Sequence, residues 1–203
     1  MNTLRELAVQ TLYLTALINP ISKISVLAVL SSKSERRELS AIVAKSSMVS
    51  AGILFGAMVF GDFVLRSVFH VELHSLRAAG GVVLFWVGFN ALRKGVFFEQ
   101  ETHDMFADMV IVPLACPMIA GPATIAAAIT LRARYGVVVP TCAMLLAVAI
   151  NSVLMLFARP IGAALSRFNI LGALIRITGL VVMTIGTQMV LDALREWQNL
   201  GSL

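Results

Sequence analysis

Two segments of the sequence place a proline in the middle of an apolar run, with polar side chains close by. Pro20 lies in the string LINPISKIS and Pro117 in LACPMIAGP, where Gly121-Pro122 forms a further interruption. A proline removes one backbone donor and clashes with the carbonyl four residues earlier, so each apolar helix should kink or unwind there. Amides and carbonyls freed in an apolar environment are costly until protein, water or a ligand satisfies them. The two breaks therefore predict a binding site for a small polar molecule.

Most side chains that could contact such a molecule are neutral hydrogen-bonding groups. They are Asn19, Ser22 and Ser25 near Pro20, and Thr124 after Gly121-Pro122. The alternative is structural: an ordinary proline kink, whose freed backbone groups are satisfied by neighbouring Ser or Thr. Two breaks in equivalent helices, each with polar side chains, favour the binding interpretation.

Lys23 is the one charged residue near the first break. An ammonium inside a membrane span costs about 2.5–3.5 kcal/mol on insertion scales, which makes it a functional candidate by default. It could hold a solute carboxylate, a backbone carbonyl or a gating partner. The alternative is that this half-helix lies shallow and the lysine reaches out to the membrane surface.

The composition requires that most of the chain lie in an apolar medium. Of its 203 residues, 59% are hydrophobic and 13% are charged, whereas soluble domains carry about 25% charged residues. Apolar runs of about 20 residues can span a bilayer as helices. The sequence predicts an all-α membrane protein of six transmembrane helices, with a loop over 159–171 and broken first and fourth helices. The spans are expected at about 7–30, 39–65, 76–92, 105–131, 137–158 and 174–194.

The two halves of the sequence resemble each other. Arg77–Leu92 aligns with Arg176–Leu191 at an offset of 99 residues, pairing Gly80 with Gly179, and Pro20 aligns with Pro117 at an offset of 97. Because each half holds three spans, the second half enters the membrane from the opposite side. This arrangement predicts a 3+3 inverted-topology repeat within one integral membrane domain, and it is typical of secondary transporters. The halves are residues 1–100 and 101–203.

Other function classes lack their motifs here. The sequence has no Ser/His/Asp set, no paired intramembrane carboxylates, no metal-ligand spacing and no GxxxxGK[ST] loop. We therefore expect no enzyme activity, no cofactor and no ATP-driven transport by this chain alone. The net charge of +5 comes from basic residues scattered over short loops, which argues against nucleic acid binding.

The expected partners are a small solute and the lipid bilayer. A proton or Na⁺ is a candidate coupling ion, and the sequence leaves the oligomeric state open. A slight excess of Lys and Arg in the loops 31–38, 93–104 and 159–171 favours a cytoplasmic position for these loops. The prediction is a multi-pass protein of a prokaryotic cell membrane with both termini outside.

Four strings resemble the MarC family of membrane proteins, which includes SnatA-type transporters of small neutral amino acids. The resemblance extends over most of the chain, from Leu7 to Arg195. It implies alternating-access transport of glycine- or alanine-like solutes at a site formed by the broken first and fourth helices, and it adds Ala120 and Ala123 to that site. The alternative function is a channel, or a transporter or exporter, for another small solute or anion. The strings are NPISKIS, RAAGGVVLF, VPLACPMIAGPATI and RITGLVVMTIGTQMVLDALR.

The first break departs from the family pattern, which reads Asp/Asn-Pro-x-Gly-Asn-x-Pro. Ser22 stands at the glycine position, Lys23 at the asparagine position and Ser25 at the second proline position. The lost glycine limits how closely a small ligand can approach the backbone, and the lysine adds a cation. The departures at Ser22, Lys23 and Ser25 are therefore expected to bear on the identity of the solute and on transport competence.

Overall fold

The computed structural model describes residues 2–30, 36–95, 97, 119–167 and 170–200, and every regular element in these ranges is a helix. A π-helical turn, Val64–Val68, extends the third helix. This organisation confirms the prediction of an all-helical protein. The helices are α1 (Asn2–Ile18), α2 (Pro20–Leu30), α3 (Arg36–Phe63), α4 (Leu73–Lys94), α5 (Pro122–Tyr135), α6 (Val138–Leu156), α7 (Ala158–Arg167) and α8 (Leu171–Leu200).

Four helical stretches in the described ranges are long and apolar enough to cross a membrane. They correspond to the predicted second, third, fifth and sixth spans. Large apolar side chains such as Phe60, Trp86 and Ile150 are exposed on them, as expected of surfaces that contact lipid. The stretches are Arg37–Val68, Leu73–Lys94, Val138–Leu156 and Leu171–Asn199.

The predicted first span is divided into α1 and α2, of 17 and 11 residues. Of the predicted fourth span, the structure describes the part from Ile119 onward, which includes the 14-residue α5. At 1.5 Å per residue, none of these three helices reaches the roughly 30 Å of a hydrocarbon core by itself.

Among the described helices, α4 and α8 run antiparallel and touch through glycines. A β carbon built on Gly81 would lie 2.7 Å from the carbonyl oxygen of Gly186, and one built on Gly88 would lie 2.5 Å from that of Gly179. No side chain fits at such distances, so the glycines are required for the backbones to approach this closely. Small residues at helix contacts are the usual means of tight packing in membranes.

These glycine contacts obey a local two-fold symmetry. Gly81 meets Gly186, Met189 and Val190, and Gly179 meets the residues 98 positions earlier, Gly88, Ala91 and Leu92. Gly88 meets Gly179 and Met183, and Gly186 meets Gly81 and Phe85, again 98 positions earlier. Each contact that α4 makes with α8 is thus matched by an equivalent contact of α8 with α4.

The glycine contacts fit an offset of 98 residues, which makes Gly81 the equivalent of Gly179, whereas the sequence alignment at 99 residues paired Gly80 with Gly179. The two offsets differ because Gly80 and Gly81 are adjacent and either one fits a short apolar string. The two glycines differ in the side of α4 on which they lie. Gly81 faces α8, and Gly80 faces α5.

The prediction of a loop over 159–171 is wrong for most of this segment. Residues 158–167 form the helix α7, which packs on α2. Ala158 and Gly162 are buried, and Arg159 and Pro160 are exposed. Pro160 suggested a loop, but it lies in the first turn of α7, where the missing N–H has no intrahelical partner to lose.

Candidate functional site

The first break is a reversal of backbone conformation at a single residue. Asn19 has φ +53°, in the left-handed region, and its N–H donates to the Thr15 carbonyl at 3.0 Å. Asparagine tolerates this conformation better than most residues, and a left-handed residue commonly ends a helix. Pro20 then begins α2, where its fixed φ suits the first helical position.

The break frees carbonyls at the end of α1. Pro20 has no N–H, so the Ala16 carbonyl lacks its donor four residues later. The Ser22 N–H donates to the Asn19 carbonyl at 3.2 Å, one residue past the Ile18 carbonyl that it would reach in a continuous helix. The first break therefore presents backbone acceptors at the negative end of the α1 dipole.

Two serines predicted to contact solute donate to the backbone of the break. The Ser22 hydroxyl donates to the Asn19 carbonyl at 2.7 Å, and the Ser25 hydroxyl donates to the Ser22 carbonyl at 2.8 Å. Ser22 is buried and Ser25 is half-buried. Their oxygen lone pairs can still accept hydrogen bonds, so either serine can face a solute only as an acceptor.

Lys23 extends back along the break toward α1. Its side chain is fully buried, and its ammonium donates to the carbonyls of Ile18 and, at 3.4 Å, Asn19. The interpretation in which the lysine reaches the membrane surface is therefore wrong. In the ranges that the structure describes, Lys23 forms no ion pair with a carboxylate. Of the partners considered from the sequence, the structure shows the backbone carbonyl.

The second break presents amides instead of carbonyls. Gly121 is extended, with φ −83° and ψ 166°, and Pro122 is the first residue of α5. The first amides of a helix have no intrahelical acceptor, and Gly121 offers no side chain to cap those of Ala123 and Thr124. The positive end of the α5 dipole thus lies mostly among buried residues, whereas Pro122 itself is exposed. Buried here are Ile119, Ala120, Gly121, Ala123 and Thr124.

Gly80 of α4 is a residue of this region that the sequence did not indicate as part of the site. A β carbon built on it would lie 3.2 Å from the Ala123 Cα and 3.3 Å from the Pro122 carbonyl oxygen. The helix α4 therefore lies directly against the second break. Two adjacent glycines at 80 and 81 are a sequence signal for close helix contact at this position.

The structure places both breaks in one hydrophobic core. Ile18 and Ile24, on either side of the first break, belong to the same buried cluster as Ala120 and Ala123 of the second. The helices α1 and α5 also contact each other. Pro117, the remaining predicted site residue, lies outside the described residues.

Three further polar side chains have buried atoms without a hydrogen-bond partner in the part of the chain described. Both polar atoms of Gln10 on α1, the Thr130 hydroxyl on α5 and the Asn151 carbonyl oxygen on α6 are in this state. Buried polar groups are usually hydrogen-bonded. Gln10 was not singled out from the sequence, although a glutamine inside an apolar span is itself a signal.

A pocket of about 320 Å³ lies at the far end of α5, away from the break, and Asp62, Arg132 and Gly136 line part of it. Arg132 donates to the Val59 carbonyl at 2.8 Å, which ties α5 to α3. None of the predicted site residues lines this pocket. Among the described residues, no group of three or more His, Cys, Asp or Glu side chains is placed to hold a metal ion.

Comparison with known proteins agrees with this architecture. Residues 4–198 match the model of a family described as MarC family integral membrane protein. A UPF0056 membrane protein of Pyrococcus horikoshii is 35% identical over 93% of each chain. Another, from Bacillus subtilis, is 32% identical over 67% of each chain, and one from Aquifex aeolicus is 27% identical over 91% of this chain and 90% of its own.

No solved structure matches the chain at a significant level. The family match nevertheless covers almost the whole sequence, and the similarity to the Pyrococcus protein runs through nearly all of it. The chain belongs to the MarC family of integral membrane proteins.

Proposed function

We propose that this protein is a secondary transporter of small neutral amino acids of the glycine and alanine class. The observation that carries the proposal is the chemical complementarity of its two breaks. One presents backbone carbonyls at the end of α1, and the other presents backbone amides at the start of α5. Broken helices that aim their ends at a solute are the usual binding device of secondary transporters.

A zwitterion is the simplest solute for such a pair of helix ends. Its carboxylate would accept from the Ala123 and Thr124 amides, as anions do at helix N-termini. Its ammonium would donate to the first break, where the Ala16 carbonyl lacks its usual donor. The second break is built largely of glycine, alanine and proline, and solutes with short side chains suit such surroundings.

The proposed transport mechanism is alternating access between two related halves. The local two-fold symmetry of α4 and α8 supports extending the repeat to residues 1–100 and 101–203, with three spans in each. In an inverted repeat the two halves can exchange conformations, so the outward-open and inward-open states have similar energies. We assign no catalytic reaction to the chain. We expect the protein to lie in a prokaryotic cell membrane with both termini outside.

The test is flux in proteoliposomes. Purified protein should take up labelled glycine or alanine with saturation, and preloaded solute should accelerate uptake by counterflow. Gly121→Val should lower uptake about tenfold or more, because it crowds the approach to the α5 amides. Gly52→Val is the matched control, since a β carbon on Gly52 of α3 meets nothing within 4 Å. Unchanged uptake in Gly121→Val would contradict the assigned site.

Lys23 favours one alternative, a channel or transporter for a small anion. Its ammonium is buried beside the first break, and no ion pair with a carboxylate is formed by it within the described ranges. A cation in such a place attracts anions. Flux of an inorganic or organic anion that exceeds glycine flux would support this alternative, and flux without saturation or counterflow would indicate a channel.

A further inference from the structure

We infer that the first break is a site for a monovalent cation, and that the Lys23 ammonium fills it, so that no sodium ion is needed there. The inference deepens the proposed function, but only its flux prediction rests on that function. Its remaining predictions concern the folded protein and hold for any solute.

The acceptors at this position are those that bind monovalent cations in broken helices. The Ile18 and Asn19 carbonyls lie at the end of α1, and both accept from Lys23. Unwound backbone carbonyls and the C-terminal ends of half-helices are the groups that hold coupling cations in transporters of this plan. The negative end of the α1 dipole adds to their attraction for a positive charge.

Lys23 reaches these carbonyls from the other side of the break. It lies in the first turn of α2, and its side chain folds back toward the last residue of α1. Full burial prevents water from solvating the ammonium. Within the ranges described, two backbone carbonyls rather than a carboxylate accept from the charge, and backbone carbonyls are also the groups that coordinate alkali ions in selectivity filters.

The same geometry separates this role from binding a solute carboxylate. An ammonium that waits for a solute would be directed into open space, whereas the Lys23 ammonium is directed at its own backbone. The lysine is therefore a tethered cation that joins α1 to α2 across the break. Removing the side chain beyond Cβ would leave a space with the shape and charge preference of n-propylammonium.

The test is the thermal stability of purified protein in detergent, measured with added cations. Lys23→Ala should lower Tm by on the order of 5 °C, because the freed carbonyls lose a charged donor. n-Propylammonium chloride should recover part of this loss, as a ligand of the folded state does. Sodium chloride should raise the Tm of the variant more than choline chloride does, and neutral n-propanol should not restore it.

Three comparisons control the interpretation. Wild-type protein should show no specific response to either cation, because its site is filled. Lys45→Ala removes an exposed lysine of α3 and should also show none. Lys23→Met fills most of the space without charge, so its Tm should be lowered and should not respond to propylammonium.

Equal responses to propylammonium in wild type and Lys23→Ala would overturn the inference, as would a wild-type Tm that sodium raises and choline does not. If Lys23→Ala does not fold, the Lys23→Met comparison and the wild-type flux decide the question. Solute flux in wild-type proteoliposomes should be unchanged when choline replaces sodium, and a requirement for sodium would contradict the inference. Failure to carry glycine or alanine would remove the proposed function and leave the Tm results standing.

Discussion

At the first break the freed groups are carbonyls, and the chain supplies its own donors to them; at the second they are amides that follow a glycine without a side chain. Lys23, Ser22 and Ser25 all donate to backbone oxygens around the first break. Gly121 has no side chain that could accept from the Ala123 and Thr124 amides at the start of α5. Within the described residues, the first break is therefore largely satisfied from within, and the second has no side-chain cap at the start of α5.

The contrast with α4 and α8 sharpens this point. These two helices keep a local two-fold symmetry down to individual glycine contacts, whereas the two breaks have different chemistry. In the proposed transport, the symmetric pair would keep two conformations close in energy, and the two breaks would supply ends of opposite polarity for a zwitterion. Two half-helices that point their C-terminus and N-terminus at one solute provide that polarity.

The largest effect is expected when the close contact between α4 and α8 is disrupted. Gly88→Leu should reduce the free energy of unfolding by about 3 kcal/mol, because its side chain has to displace backbone of α8. Unfolding in mixed micelles with increasing SDS measures the loss. Gly172→Leu on α8 is the matched control, since a β carbon there meets nothing within 4 Å. Similar stability of the two variants would show that the glycine contacts do not hold the pair together.

A smaller effect is expected at the backbone reversal that creates the first break. Asn19→Ala should cost about 1 kcal/mol, because alanine is less tolerant of φ +53° than asparagine. Asn19→Gly should remain within about 0.5 kcal/mol of wild type. The same unfolding assay applies, and glycine flux should follow the stability order.

His70 provides the matched control, because it also has a positive φ, 54°, but lies in an exposed connection. His70→Ala should change stability in the same direction without lowering flux per folded molecule. Equal losses of flux in Asn19→Ala and His70→Ala would show that the break has no special connection to transport.

The smallest effect is expected at Ser25, where a substitution distinguishes a local hydrogen bond from a contact with the solute. Ser25→Ala removes one hydroxyl bond to the Ser22 carbonyl and should cost about 0.6 kcal/mol, the average for such bonds in membranes. Ser166→Ala on α7 removes an equivalent but exposed bond and should cost less. A large rise in the KM for glycine in Ser25→Ala, with little change in stability, would instead make Ser25 a solute contact.

The sequence predicted where helices end near the two breaks, because proline and glycine act on the backbone through local sterics. Pro20 and Pro122 begin α2 and α5, close to the positions where the apolar runs were expected to break. Prediction from the sequence failed where the structure depends on which neighbouring helix a residue contacts. The choice between Gly80 and Gly81 requires the face of α4, and the helix α7 was hidden because Pro160 is acceptable in a first turn.

The role of Lys23 could not be predicted from the sequence either. A four-carbon side chain can extend toward the membrane surface, a solute or the backbone, and composition does not select among these. The selection follows from the left-handed turn at Asn19, which removes the Ser22 N–H from the Ile18 carbonyl. Once that carbonyl is free, the buried ammonium has an acceptor within reach.

The central claim, that a small zwitterion binds with its carboxylate at the start of α5, can be tested by a solid-state NMR distance measurement. Protein labelled with ¹⁵N-threonine is loaded with glycine carrying ¹³C in its carboxyl group, and dipolar dephasing between the two labels is recorded. The account predicts dephasing of the bound glycine signal in wild type and its loss in Thr124→Ser, where the ¹⁵N label is absent at position 124. Bound glycine that shows no dephasing, or the same dephasing in Thr124→Ser, would contradict it.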